Sequence, residues 1–290
     1  MKICNKISIV GMGLLGGSIG KALIERKLAD EVVGIVRRAE AVREVKRAGA
    51  AHRVTLDVAE GVAGADIVIL GVPVDQMEKL SRRIAASVRR DAVITDVGSV
   101  KGCVVAKLEK IFHARGSFVG SHPMAGKEKG GIAHADPRLF EGAIAIVTAT
   151  KRTSMPAVRT VTALWEKIGA RVVQLSVADH DKAVAAVSHL PHMLAVSLMQ
   201  AVAGMRKGRF DPFQCIGPSF KDMTRVVASP SEMWSGILVE NKREVLAAVK
   251  RFSAELGRMA AAVRKNDLRG IERLFTNARA EKEQHNHTSR

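Results

Sequence analysis

The sequence predicts an α/β chain in which a doubly wound parallel sheet precedes an all-helical region. Three observations lead there. From residue 3 to about 176, short runs rich in Val and Ile alternate with amphipathic or Ala-rich stretches, the pattern of βαβ units. After Ser176 the strand-like runs stop and the longer stretches carry helical spacing. A length of 290 residues and an apolar content of 47% allow each half its own core. The expected division is therefore 1–176 and 177–290.

Strands are expected over residues 7–10, 32–36, 67–71, 93–96, 118–120, 143–147 and 171–175. The first runs straight into Gly11-Met12-Gly13-Leu14-Leu15-Gly16, which opens a helix ending near Arg26. Strand, glycine pattern and helix in that order make a Rossmann-type dinucleotide site. The first glycine permits the tight turn, the second lets the backbone approach a pyrophosphate, and the third lets helix pack on strand. Gly11, Gly13, Leu14, Leu15 and Gly16 are thus candidate cofactor contacts, with the pyrophosphate at the positive helix end. About 20 residues on, an acid usually grips the ribose hydroxyl of NAD. Val36, Arg37 and Arg38 stand there instead. Guanidinium groups hold a 2′-phosphate that an acid would repel, which favours NADP over NAD and leaves use of both open. The other reading of Arg37 and Arg38 is the solvated start of a helix.

Three later segments lie where parallel strands end, the edge at which ligands bind. They are Gly71-Val72-Pro73, with Val72 and Pro73 expected beside the cofactor; Asp96-Val97-Gly98-Ser99-Val100-Lys101; and Gly120-Ser121-His122-Pro123-Met124-Ala125-Gly126 with Glu128. In the helical half come Asp179-His180-Asp181, Ser188-His189-Leu190-Pro191-His192, and Phe220-Lys221-Asp222-Met223-Thr224-Arg225 with Trp234. Pro191 should free a carbonyl and kink its helix, exposing His189 and His192. Ser229, Pro230 and Glu232 supply an N-cap, a first-turn proline and the far end of a capping box, so a long helix should begin there. Within it Val245, Val249, Phe252, Leu256, Met259 and Val263, spaced alternately four and three, form an apolar seam. That seam is either intrachain core or a dimer interface; a helical half too thin to cover several such faces favours the dimer. Residues 281–290 read as a polar tail.

The formal charge is +17, yet Lys and Arg are spread along the chain and mixed with acids, as in 37–46 and 242–258. No nucleic-acid motif accompanies them and aromatics are only 3%, too few for stacking platforms, so the positive field is read as serving a polyanionic substrate and cofactor rather than nucleic acid. No apolar run is expected to span a bilayer, and the first strand begins too early for a signal peptide, which points to a cytoplasmic protein with no membrane partner. Cys4, Cys103 and Cys215 have no ligand or redox spacing and are read as packing residues. His189 and His192 lack an acid or thiol at metal-ligand spacing, so no metal is expected.

Taken in order, these segments resemble the prephenate dehydrogenase family, including its arogenate-using relatives, over about residues 5–280. The resemblance implies oxidative decarboxylation of prephenate to 4-hydroxyphenylpyruvate, or of arogenate to tyrosine, with hydride transfer to NAD(P), as a step of tyrosine biosynthesis. It implies His122 as proton acceptor, a role that suits a neutral imidazole near its own pKa. Ser99 would hydrogen-bond both that histidine and the substrate hydroxyl. Arg225 would bind a substrate carboxylate, helped by Lys221 and His192, with Ser188 and His189 in the same site and Asp222 and Trp234 at the cleft mouth, contributed across a dimer. Because His122 and Arg225 lie in different halves, the site should be a cleft between them. Lys127 departs from the small hydroxyl residue common in the family. With no segment beyond the helices for a ligand-sensing domain, inhibition by tyrosine would have to act at the active site. Two other readings compete. Dehydrogenases of the β-hydroxyacid or 6-phosphogluconate type share the layout but use a Lys-centred catalytic set, whereas a nucleotide-sensing module would need the fold without His122.

Overall fold

A computed structural model describes residues 2–127 and 129–288, with the side chains of 285–288 left aside; Glu128 lies outside the described residues. Eight strands form one sheet: β1 (Cys4–Val10), β2 (Ala29–Ile35), β3 (Arg53–Thr55), β4 (Ile67–Leu70), β5 (Ala92–Asp96), β6 (Gly116–Pro123), β7 (Ile144–Thr148) and β8 (Arg171–Leu175). Their spatial order is β3-β2-β1-β4-β5-β6-β7-β8. Around it run α1 (Leu14–Glu25), α2 (Ala39–Arg47), α3 (Val58–Val62), α4 (Val74–Ile84), α5 (Val105–Phe112) and α6 (Met155–Lys167).

Successive strand residues point to opposite faces, and this divides the apolar core in two. Ile7, Ile9, Val32, Ile67 and Ile69 pack with Ile19 and Leu23 of α1, Val45 of α2 and Trp165 of α6. Val10, Val33, Ile35, Val68 and Leu70 pack on the other face with Val62 of α3, Met77 of α4 and Phe112 of α5. Strands buried on both sides explain the near-continuous Val and Ile runs, each such side chain contributing about 1.5–3 kcal/mol on burial. The doubly wound sheet is as expected, with two differences. The three-residue edge strand β3 went unforeseen; it pairs Val33 with Arg53 and is too short to carry a period. β6 and β7 are antiparallel, pairing His122 with Ile146. That pairing extends β6 to Pro123, so His122 sits on a strand and not on the loop after one.

Beyond β8 follow α7 (Val177–Val184), a π-helical turn (Ala185–His189), α8 (Leu190–Ala203), α9 (Pro218–Thr224) and α10 (Ser231–Glu240). Ser176 caps α7, its hydroxyl accepting the Asp179 amide at 3.1 Å. No strand follows β8 among the described residues, apart from a single bridge between Lys207 and Phe210. The chain through Lys242 forms one compact unit and the chain from Arg243 a second. The second comprises nearly all of α11 (Lys242–Arg264) and α12 (Leu268–Thr288). The polar stretch from 281 thus continues a helix.

Several local expectations need correction. The helix after Ser229 is not long, because Asn241, at φ −104° and ψ 25°, separates α10 from α11. Nor is Ser229 its cap: it closes the preceding turn through its amide to the Val226 carbonyl, leaving Pro230 at the cap position without a side-chain bond. Along the seam Val245 is buried, whereas Leu256 and Val263 are each 57% exposed. Cys215 is exposed, so it packs nothing. By length and composition the helical run Val177–Ala203, 27 residues, is sufficient to cross a membrane, contrary to the expectation of none. It carries His180, Asp181 and His189, whose side chains hydrogen-bond inside the fold.

Candidate active site

The strand order reverses between β1 and β4, and the crevice at their carboxyl ends is where such sheets bind ligands. Gly11, at φ +97°, turns the chain there against Gly71, whose carbonyl oxygen would lie 2.4 Å from any added Cβ. A Cβ on Gly16 would lie 2.0 Å from the Gly11 oxygen, which is the close helix–strand packing expected of the third glycine. Gly13 differs from both. A Cβ there would meet nothing within 4 Å, and Gly13 caps α1 without a side-chain bond, leaving the first amides of the helix, from Leu14 and Leu15 on, open to an anion. These residues fit a dinucleotide. Val72 is partly buried and Pro73 exposed on the neighbouring loop. Arg37 and Arg38 are exposed just past β2, and no ion pair among the described residues involves them.

On the next strands a buried polar cluster replaces apolar packing. Lys101, fully buried, pairs with the fully buried Asp96, whose other oxygen accepts the Ser121 amide at 3.1 Å. This braces β5 against β6 one residue before His122. His122 is 7% exposed. Its Nδ1 lies 2.9 Å from Nε2 of His180, and Nδ1 of His180 lies 2.8 Å from Oδ1 of Asp181. The Asp181 carboxylate also accepts the amides of Lys101 at 2.8 Å and Gly102 at 2.7 Å. Burial raises the Asp181 pKa, but His180 and these two amides outweigh it and hold the group below the usual carboxylate range. Burial, joined by His180, Lys101 and His189, pushes the His122 pKa well below the usual histidine value. His122 is therefore neutral at neutral pH.

Asn241 extends the cluster: its side-chain amide donates to the Asp181 carbonyl at 2.8 Å and approaches Nδ1 of His189 at 3.3 Å. His189 is 1% exposed, with its pKa pushed down to about 4, chiefly by burial. Its Nε2 and the Nε1 of Trp234 are buried without a partner. Trp234 stacks on His192 of its own chain, ring centroids 3.6 Å apart, and the His192 Nδ1 meets the Ser188 carbonyl at 2.9 Å. Burial lowers the His192 pKa, and the nearby Arg225 charge adds to this.

The structure thus gathers His122 with His189 and, through Trp234, with His192, Ser188 and Arg225. Two expectations change. Among the described residues Ser99 makes no hydrogen bond to His122, whose Nδ1 is taken by His180. His189 is buried and not exposed, because the chain inserts a π turn ahead of Pro191, which then sits in the first turn of α8. Lys221 and Asp222 are exposed on α9. Lys127 reaches outward to Asp136 at 3.2 Å. His180, Asp181, Lys101 and Asn241 received no role from sequence; the only signal was that His180 and Asp181 fell in one noted segment and Lys101 in another. Among the described residues no group of His, Cys, Asp or Glu has metal-holding geometry.

Residues 19–174 match the family model described as prephenate dehydrogenase, nucleotide-binding domain, and residues 176–277 match that described as prephenate dehydrogenase, dimerization domain. The chain belongs to the prephenate dehydrogenase family. It is 34% identical to the cyclohexadienyl dehydrogenase of Zymomonas mobilis over 92% of this chain and 91% of that one. A prephenate dehydrogenase from A. aeolicus, solved in complex with hydroxyphenyl propionate and NAD+, superposes with a TM-score of 0.91 at 31% identity, covering 97% of this chain and 98% of that one. An arogenate dehydrogenase from Synechocystis gives 0.85 at 25% identity, covering 97% and 99%. Family membership in both halves disfavours the β-hydroxyacid alternative. The first match begins after Gly16, so the glycine loop stands on its own geometry.

Proposed function

We propose that this chain oxidatively decarboxylates prephenate or arogenate with a nicotinamide dinucleotide as oxidant. The observation that carries the reading is His122: neutral, held at Nδ1, with no partner at Nε2 among the described residues, in a chain whose halves both match this family. His122 takes the proton of the ring hydroxyl through Nε2. When bound, the nicotinamide supplies a hydride acceptor for the hydroxyl-bearing carbon. Loss of the ring carboxylate as carbon dioxide then makes the ring aromatic, which renders the step effectively irreversible. Arg225 holds a carboxylate of the substrate, with His192 and Lys221 assisting and Ser188, His189 and Trp234 lining the same side. Ser99 and Asp222 reach the substrate only once it is bound.

Gly11, Gly13, Leu14, Leu15 and Gly16 hold the pyrophosphate, and Val72 and Pro73 flank the cofactor. The A. aeolicus relative was solved with NAD+, which supports NAD here; the exposed Arg37 and Arg38 support acceptance of NADP as well. We place the functional boundary near residue 176, between nucleotide binding and substrate binding. The protein acts as a homodimer, supported by the match to a dimerization domain and by the exposed Leu256, Val263, Leu268 and Phe275. A cofactor-reduction assay crossing prephenate and arogenate with NAD and NADP tests the proposal. Reduction in at least one combination is expected, and none in any would overturn it.

A further inference from the structure

We propose that His180 and Asp181 are positioning residues that fix the tautomer of His122, so that its unprotonated nitrogen faces the reacting hydroxyl. The inference rests on the function proposed above and goes beyond it by assigning a role to two residues that act through His122.

The chain of donors and acceptors leaves one arrangement. An ionised Asp181 only accepts, and both its oxygens are already met by the amides of Lys101 and Gly102. The His180 Nδ1 at 2.8 Å must therefore carry the proton and donate to it. A neutral His180 then has only a lone pair at Nε2, so the His122 Nδ1, 2.9 Å away, must be the donor. The His122 Nε2 is left with its lone pair and no partner among the described residues. This matters because a neutral imidazole with its proton on the wrong nitrogen cannot accept another at the right place.

The same chain prepares for the charge that follows. When the hydroxyl proton moves to His122 Nε2, the ring becomes an imidazolium, and its Nδ1 proton still points at His180. Lys101 lies close enough to lower both histidines, so the added positive charge is opposed there. The Asp181 carboxylate, at the far end of His180, is the counter-charge. His180 is fully buried and cannot turn to water for an alternative partner. The arrangement is also rigid: β6 is held by its antiparallel pairing with β7, and Asp181 is fixed by two backbone amides and by Asn241 on its own carbonyl.

The test uses the full-length protein and nitrogen-15 spectra of its histidines, with His180→Leu and His180→Gln alongside. In the wild type, His122 is expected to be protonated at Nδ1. Leucine removes the acceptor and should shift the proton to Nε2, lowering kcat about 10²-fold while both Michaelis constants stay within about threefold. Glutamine offers a side-chain oxygen near the lost nitrogen and should recover at least about tenfold of that loss, a rescue that a purely structural role would not give. A wild-type His122 protonated at Nε2 overturns the proposal, as does a folded His180→Leu protein with unchanged kcat. The wild-type spectrum decides the tautomer even if neither variant folds. A wild-type protein that oxidises neither prephenate nor arogenate would instead overturn the proposed function, and the same spectrum would still decide the tautomer.

Discussion

One methyl group added at two positions of the glycine loop should have opposite consequences. In Gly16→Ala the new carbon would lie 2.0 Å from the Gly11 oxygen and 3.1 Å from the Ile9 side chain, so α1 must move away from β1. Overpacking of this kind costs about 1–3 kcal/mol, or roughly 2–12 °C in Tm at about 2–4 °C per kcal/mol. In Gly13→Ala the same carbon meets nothing within 4 Å, and a φ of −82° suits any residue. The cost to the fold is that of a poorer cap, under about 1 kcal/mol. The open space beside the α1 amides is what the dinucleotide needs, however. Displacing one hydrogen bond to a charged phosphate costs about 1.5–3 kcal/mol, which weakens cofactor binding about 10- to 100-fold. Scanning fluorimetry without ligand gives the first quantity, and fluorescence titration with NADH and NADPH gives the second. If Gly13→Ala lowers Tm as far as Gly16→Ala, or binds both cofactors normally, the reading of the loop is wrong.

Three further outcomes are expected. His122→Asn should lower kcat about 10²- to 10⁴-fold with little change in cofactor affinity, and turnover within a few-fold of wild type would remove His122 from the chemistry. Stability should fall with acid: His122, His180, His189 and His192 are all held below their ordinary value by burial, so below about pH 6.5 the unfolded chain binds more protons. His189 withdraws up to about 1.4 kcal/mol per pH unit down to its value of about 4, the others act in the same direction, and a urea midpoint that is flat or rising from pH 7 to pH 5 would contradict this. Replacing Arg37 and Arg38 by Ala should weaken NADPH binding about tenfold or more while leaving NADH within about twofold. Equal effects on the two cofactors would mean the pair is merely solvated.

What could be read in the sequence was what lies close together along it. Gly11, Gly13 and Gly16 are local, and their turn, open space and tight packing follow from three positions in one segment. His122 was legible by residue type at a strand end. Its partner was not: His180 is 58 residues away, and the two meet only because β6 turns antiparallel to β7 and Ser176 caps α7 immediately after β8. Pro191 suggested a kink with exposed histidines, yet the chain absorbed it with a π turn that buries His189, an outcome set by Trp234 of α10 and by Asn241 just after it. β3 escaped notice because three residues carry no periodicity and its pairing to β2 is tertiary. The seam at Val245 to Val263 had the right spacing, but spacing alone does not say what covers Leu256 and Val263.

The proposed function couples oxidation to decarboxylation, with both depending on His122. The measurement that tests it most directly is the stoichiometry of carbon dioxide release to nicotinamide reduction with prephenate or arogenate, in wild type and in His122→Asn. One carbon dioxide per reduced cofactor in the wild type, with both lost together in the variant, is the expected result. Cofactor reduction without carbon dioxide, or a variant that retains both, would contradict it.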